Sequence, residues 1–238
     1  GFELTARGHT LLPSARAMAA AMADLSLAVA GEETQIAGTV RIATSVFMAH
    51  HAMPTIIAQI RAAAPQIQID LVPSDQSENL LFREADIAVR MYRPKQLDMI
   101  TKHLGDITLG MFAAQRYIAR KGRPTGADDL IHHDIVGYDA NDDIIREMRA
   151  MGIPASRDWF AVRCDNQTAY WELVRAGCGI GFCQAKIARQ TPGIVEVPLG
   201  FPLPQLPVWL TAHESLRHSP RISRVWGLLE SALKPVVS

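Results

Sequence analysis

The stretch Gly38-Thr39-Val40-Arg41-Ile42-Ala43-Thr44 sets Val40 and Ile42 in alternation with polar neighbours, the two-residue period of a strand with one buried face. Residues 54–64 follow with Ile56, Ile57, Ile60 and Ala64 at helical spacing, and Ile67, Ile69 and Leu71 return to alternation. Ala85-Asp86-Ile87-Ala88-Val89 is a short, mostly apolar run suited to a buried strand. Strands that alternate with helical stretches predict a parallel sheet joined by crossovers.

A second series lies downstream. A strand is expected near 108–113, a short helix at 115–120, a turn at 122–126 and a strand at 135–138. Phe160, Val162 and Cys164 alternate, 168–176 forms a helix stopped by Gly177, and 180–183 is another short strand. Extended pieces at 195–198 and 208–212 precede a closing helix from about Pro220, with Ile222, Val225, Trp226, Leu229 and Leu233 on one face. The expected fold class is α/β, with two Rossmann-like lobes.

Upstream, Leu11, Ala15, Met18, Met22, Leu25 and Val29 are separated by gaps that alternate four and three, the stripe of a coiled-coil seam. Thr10 or Ser14 would cap this helix, Pro13 would sit in its first turn and Gly31 would end it. A helix of about 20 residues is about 30 Å long. Rich in alanine and methionine and poor in polar side chains, it is expected to pack against a copy of itself. The alternative is a helix lying on the body of its own chain. Residues 31–38 form a polar break that reads as a linker.

Composition excludes several functions. Of 238 residues, 24 are Lys or Arg and 24 are Asp or Glu, a balance without the basic excess needed to bind nucleic acid over the whole surface. No run approaches the roughly 18 apolar residues of a membrane span, and no basic-then-apolar leader opens the chain, so a cytoplasmic protein without a membrane partner is expected. Cys164, Cys178 and Cys183 are odd in number and lack paired-ligand spacing, which argues against disulfides and zinc. The pairs His50-His51 and His132-His133 are not spaced to share a helical face, so no metal is expected. Asp142, Asp143 and Glu147, interleaved with Arg146 and Arg149, read as a solvated helix face. Without a phosphate loop or nucleophile elbow, neither an enzyme nor a cofactor is expected. The chain starts at Gly1 rather than Met, and residues 1–5 read as the middle of a longer sequence.

Several landmarks together resemble the LysR-type transcriptional regulators of bacteria. Gly1-Phe2-Glu3-Leu4-Thr5-Ala6-Arg7-Gly8, followed by Leu11-Leu12, is similar to the family's junction between the wing of a winged helix-turn-helix and the linker helix, with Arg7 where alanine is usual. Gly38-Thr39-Val40-Arg41-Ile42-Ala43 resembles the first strand of its effector-binding domain, and Ala85-Asp86-Ile87-Ala88-Val89-Arg90 the third. Gly177-Cys178-Gly179-Ile180-Gly181 resembles its glycine-rich turn from helix to strand, and residues 117–124 with Asp129-Leu130-Ile131-His132-His133 also fit. The resemblance implies a wing remnant at 1–8, a dimerisation helix at 9–31, a first lobe from 38–108 and 210–238, and a second from 109–209. The chain would cross twice, as in periplasmic binding proteins. It further implies promoter DNA bound through a missing N-terminal domain, RNA polymerase as a further partner, and self-association to a dimer or tetramer. The helix near 54–64 would pack on the 168–176 helix of a neighbour.

Ligands of open parallel sheets bind beyond the carboxyl ends of the strands, and clefts between lobes favour pockets. In the first lobe these positions are Thr44, Ser45, Val46 and Phe47, then Pro73, Ser74 and Asp75, then Arg90 and Met91. In the second they are Tyr138, Asp139, Asp165, Asn166, Gln167, Phe182, Cys183 and Gln184, the last standing where the family often has proline. The expected effector residues are Thr44, Ser45, Val46, Phe47, Ser74, Arg90, Met91, Asn166, Phe182 and Cys183. A helix starting after Ser45 would hold a carboxylate by its free N–H groups, and Arg90 would add a charge-assisted bond. Otherwise Thr44 and Ser45 only cap that helix, and Arg90 pairs with a surface carboxylate. Hydroxyls beside Phe47, Met91 and Phe182 suggest a small, partly apolar organic acid. A redox role for Cys183 would need a thiolate and a resolving partner, and Lys186 is the lone cation close by in sequence, so a wall or core position is favoured. Two other classes compete. A free solute-binding protein of periplasmic type predicts an export leader and no seam helix, and an enzyme predicts a poised acid or nucleophile.

Overall fold

The computed structural model describes residues 4–31, 36–75, 85–94, 99–198, 200 and 202–237, and omits the side chains of 19, 20, 23–31, 217 and 218. Helix α1 (Ala6–Gly31) starts earlier than the sequence suggests. The Thr5 hydroxyl accepts the Gly8 N–H at 3.1 Å, the capping bond anticipated for Thr10 or Ser14, so Pro13 lies inside the helix rather than in its first turn. The expected boundary between residues 8 and 9 therefore falls within α1. The helix touches the 3-10 turn Glu214–His218 of its own chain.

The elements that follow are β1 (Gly38–Thr44), α2 (Val46–His51), α3 (Met53–Ala63), β2 (Ile67–Pro73), β3 (Ile87–Arg90), β4 (Met99–Ile107), β5 (Leu109–Ala114) and α4 (Gln115–Lys121). Then come β6 (Ile135–Gly137), α5 (Asp143–Ala150), β7 (Phe160–Arg163), α6 (Gln167–Arg175), β8 (Gly181–Gln184), α7 (Ala185–Gln190), β9 (Ile194–Val197), β10 (Leu206–His213) and α8 (Pro220–Leu233). The α/β class expected from alternation is the class observed, in two units.

The first unit comprises Gly1–Ser45, Met53–Leu104 and Trp209–Leu233. Its sheet has the order β2-β1-β3-β10-β4, with β1 parallel to both β2 and β3 and β10 antiparallel to β3. Val40 and Ile42 are buried on the face of β1 opposite the exposed Arg41, whereas all four residues of β3 are buried, as in a strand covered on both faces. Helices α3 and α8 pack together, and each buries one face, Met53, Ile56 and Ile60 on α3 and Ile222, Val225, Leu229 and Leu233 on α8. Asp86 explains its place in the third-strand motif: its carboxylate accepts the Arg41 N–H at 2.8 Å, and its own N–H donates to the Arg41 carbonyl at 3.0 Å. These bonds fix the entry of β3 beside β1.

The second unit comprises Val46–Ala52, Gly105–Val208 and Lys234–Ser238. The sequence assigns 46–52 and 234–238 to the first lobe. Helix α2 instead buries Phe47, Met48 and Ala49 and packs on α6. Strands β8 and β9 flank β5 antiparallel, and parallel β6 and β7 join them through the Ile135–Ile180 bridge. The core is aromatic, with Trp171, Tyr117, Tyr170 and Phe112 almost wholly buried. Helix α6 ends where Gly177 takes φ +79°, its N–H returning to Val174 and that of Cys178 to Leu173. At Gly181 a Cβ would come within 2.7 Å of the Tyr170 hydroxyl, so only glycine lets β8 pass.

Candidate functional site

Register brings the carboxyl ends of three parallel strands into one row in the first unit. Thr44 lies opposite Pro73 on β2 and Val89 on β3, and the Ser74 N–H donates to the Thr44 carbonyl at 2.8 Å. Thr44, Ser45, Ser74, Arg90 and Met91 therefore belong to one rim. Thr44 is fully buried, with no hydrogen-bond partner for its hydroxyl among the described residues, while Ser45, Ser74 and Met91 are half-buried. Arg90 is only 4% exposed, and that burial holds its pKa below the ordinary arginine value against the attraction of Tyr92 and Asp75. It nevertheless stays charged at any pH a protein survives. Helix α2 does begin one residue after Ser45, but its six residues align too few peptide dipoles for a strong anion site. Hydroxyls and Arg90 are left as the groups able to hold a carboxylate there.

Trp209, which the sequence pattern does not flag, stands opposite Arg90 where β10 pairs with β3. The Arg93 guanidinium lies 5.5 Å from the centre of its ring and the His103 ring 4.9 Å away.

The expected residues of the second unit are engaged differently. Phe47 joins the aromatic core and meets the His51 ring at 4.5 Å, and Val46 is half-buried. Asn166 is exposed and caps α6, its side-chain oxygen accepting the Ala169 N–H at 2.9 Å. Its neighbour Asp165 accepts the N–H groups of Ala140, Asn141 and Asp139 at 2.9, 3.2 and 2.8 Å. Those bonds, Ala140's foremost, hold its carboxyl below the usual range. The Phe182 N–H donates to the Tyr170 hydroxyl at 2.8 Å, and the half-buried phenyl ring packs against the aromatic core. Cys183 is 6% exposed and burial pushes its thiol up to about 12, so it is no thiolate nucleophile at neutral pH. Gln184 is also buried, and its side-chain oxygen has no partner among the described residues.

On α1, Leu11, Ala15, Met18 and Met22 are exposed, the two methionines by 71% and 66%. The side chains of Leu25 and Val29 lie outside those described. A depression of about 400 Å³ between Arg116, Glu172, Arg175 and Gly193 contains none of the expected effector residues. Its charges already have partners, Arg175 in Glu172 at 2.6 Å and Arg116 in the Arg175 carbonyl at 3.0 Å. Among the described residues no cluster of His, Cys, Asp and Glu could hold a metal ion, and no helix is long and apolar enough to cross a membrane.

Residues 33–234 match the model of the LysR substrate binding domain. A regulator of the helix-turn-helix type from Neisseria meningitidis, CrgA, is 28% identical over 101 residues, 42% of this chain and 34% of that protein. The activator AaeR of Escherichia coli is 24% identical over 106 residues, 44% of this chain and 34% of that protein. The chain thus matches about a third of the length of these curated relatives. Among solved structures, the CrgA regulatory domain superposes with a TM-score of 0.73 at 20% identity, covering 83% of this chain and 99% of that one. Full-length AphB, a virulence activator of Vibrio cholerae, gives 0.69 at 15% identity, covering 96% and 80%.

Proposed function

The chain belongs to the LysR substrate-binding-domain family, and on that premise we propose that it is the ligand-sensing part of a bacterial LysR-type transcriptional regulator. A DNA-binding domain ahead of residue 1 would read the promoter, as in relatives described as helix-turn-helix regulators. The effector is a small organic acid bound by the row Ser45, Ser74, Arg90 and Met91, together with Thr44 and the second-unit positions Val46, Phe47, Asn166, Phe182 and Cys183. Binding shifts the oligomer between two arrangements to the extent of its differential affinity for them. Leu11, Ala15, Met18, Met22, Leu25 and Val29 pair α1 with a second copy, and α3 packs on the partner's α6. RNA polymerase is a further partner, and the cytoplasm is where such a protein works. Regulators of this family are typically not enzymes.

The observation that carries the reading is the buried, charged Arg90 at the carboxyl ends of parallel strands, within a chain matched to a ligand-sensing family over 33–234. A free solute-binding protein would share the rim but has no use for α1, whose exposed Leu11, Met18 and Met22 favour the regulator. Calorimetric titration of the chain and of Ser45→Ala with carboxylic acids tests the effector site. Losing one hydroxyl bond should weaken an acid about fivefold or more without altering the melting midpoint. Equal affinity would remove Ser45 from the site.

A further inference from the structure

Trp209 pairs directly with Arg90 in the antiparallel ladder, so the two Cα atoms lie about 5 Å apart and both side chains leave the sheet on one face. Arg93 and His103 both lie against the indole, at 5.5 and 4.9 Å from its ring, and fix its plane. The edge of the indole carries one polar group, Nε1–H, which is closed off from solvent and meets no acceptor among the described residues. Burying a donor without an acceptor is expensive, and each such group calls for an explanation. The indole N–H groups of Trp159 and Trp171 share that condition, but they belong to the aromatic cluster of the second unit and not to a strand paired with a buried arginine. Trp209 alone of the three is set beside Arg90 by a backbone ladder, in a group with Arg93 and His103.

We propose that Trp209 is a specificity-determining residue for an anionic effector, its indole N–H donating to the carboxylate that Arg90 holds. This rests on the reading of the first-unit rim as the effector site. Arg90 supplies charge and Trp209 supplies direction. Because the indole is already held by Arg93 and His103, little freedom is lost when the bond forms. A neutral amide of the same shape lacks the charge that repays desolvation of Arg90, so the site selects acids over amides.

The chain contains four tryptophans, hence four indole N–H signals in a ¹⁵N-correlated NMR spectrum, and the signal absent from Trp209→Phe identifies Trp209. Acetate, succinate and benzoate are titrated into the wild-type chain, with benzamide as the neutral control. At least one acid should move the Trp209 signal downfield, further than the other three indole signals, while benzamide leaves it in place. Trp209→Phe should bind that acid about tenfold more weakly, the equivalent of one charge-assisted bond. If none of the three acids binds the wild-type chain, the effector reading fails and this inference with it. If an acid binds, the Trp209 signal stays still and Trp209→Phe keeps full affinity, the effector reading stands and the role of Trp209 is overturned. Should Trp209→Phe misfold, the Trp209 indole signal is identified in the wild-type chain by through-bond correlation to its assigned backbone, so misfolding of the variant does not mask the NMR result.

Discussion

Both units present the carboxyl ends of parallel strands, yet the polar groups at those ends are engaged differently. Around β6, β7 and β8 of the second unit several groups satisfy one another: Asp165 takes three backbone N–H groups, Asn166 caps α6, and the Tyr170 hydroxyl takes the Phe182 N–H. In the first, the Thr44 hydroxyl and the Trp209 indole N–H are buried without partners among the described residues, next to the ends of β1 and β3. The second unit has such leftovers too, at His51 Nε2, the indole N–H groups of Trp159 and Trp171, the Thr168 hydroxyl and the Gln184 amide oxygen, all without a partner among the described residues. A polar group bonded within its own chain builds a scaffold, and one left over at high cost is available to a ligand. On the proposed reading, the first unit contributes the charged and hydroxyl groups that recognise the effector, and the second contributes an aromatic core that holds its own effector positions.

The largest expected effect tests that core. Trp171→Ala empties the centre of the second-unit core and should cost about 3–5 kcal/mol in denaturant unfolding. A loss below about 1 kcal/mol would break the contrast, because a scaffold that tolerates such a void is not tightly packed. Next comes Tyr170→Phe, which strands the Phe182 N–H and should cost about 1–3 kcal/mol while leaving acid affinity untouched. A change in affinity would show the hydroxyl to be part of the ligand site.

What was legible from sequence follows the same divide between local and distant causes. Strands β1, β2 and β3 announce themselves by alternation or by an unbroken apolar run, because each is decided by its own burial. Strand β4 does not: at the sheet edge, with Lys102 and His103 exposed, it has neither a clean alternation nor an apolar run. The rim residues Ser45, Ser74 and Arg90 were readable because they directly follow or end those strands. Asn166 was ambiguous in principle, since the oxygen that caps a helix is the oxygen that would bind a ligand. Trp209 was invisible, because its neighbour Arg90 is set by register between strands far apart in the chain.

A smaller effect of opposite sign separates the rims. Thr44→Val keeps the shape and removes a buried hydroxyl that has no partner among the described residues, so stability should stay level or rise by up to about 1 kcal/mol. The Tyr170→Phe change removes a hydroxyl too, yet loses stability. If Thr44→Val is instead destabilised, its hydroxyl serves the fold and the contrast between the two rims narrows.

The smallest effect belongs to Asp165, whose carboxylate organises the 139–141 turn from a solvent-exposed position. Its folded pKa lies below the ordinary value of 3.8, because backbone N–H groups favour the charged form. The stabilisation is therefore complete above 3.8 and disappears as pH falls through the lower folded value. Asp165→Asn keeps one oxygen able to accept but no charge, and it does not titrate. At neutral pH the variant should melt slightly below the wild type, and in acid the two melting curves should converge as the wild-type carboxylate takes up its proton. Parallel curves across the whole acid range would mean that the turn does not depend on that charge. The second rim would then be held by packing alone, which would take the hydrogen-bonded half of its description away and leave the aromatic half to account for its rigidity.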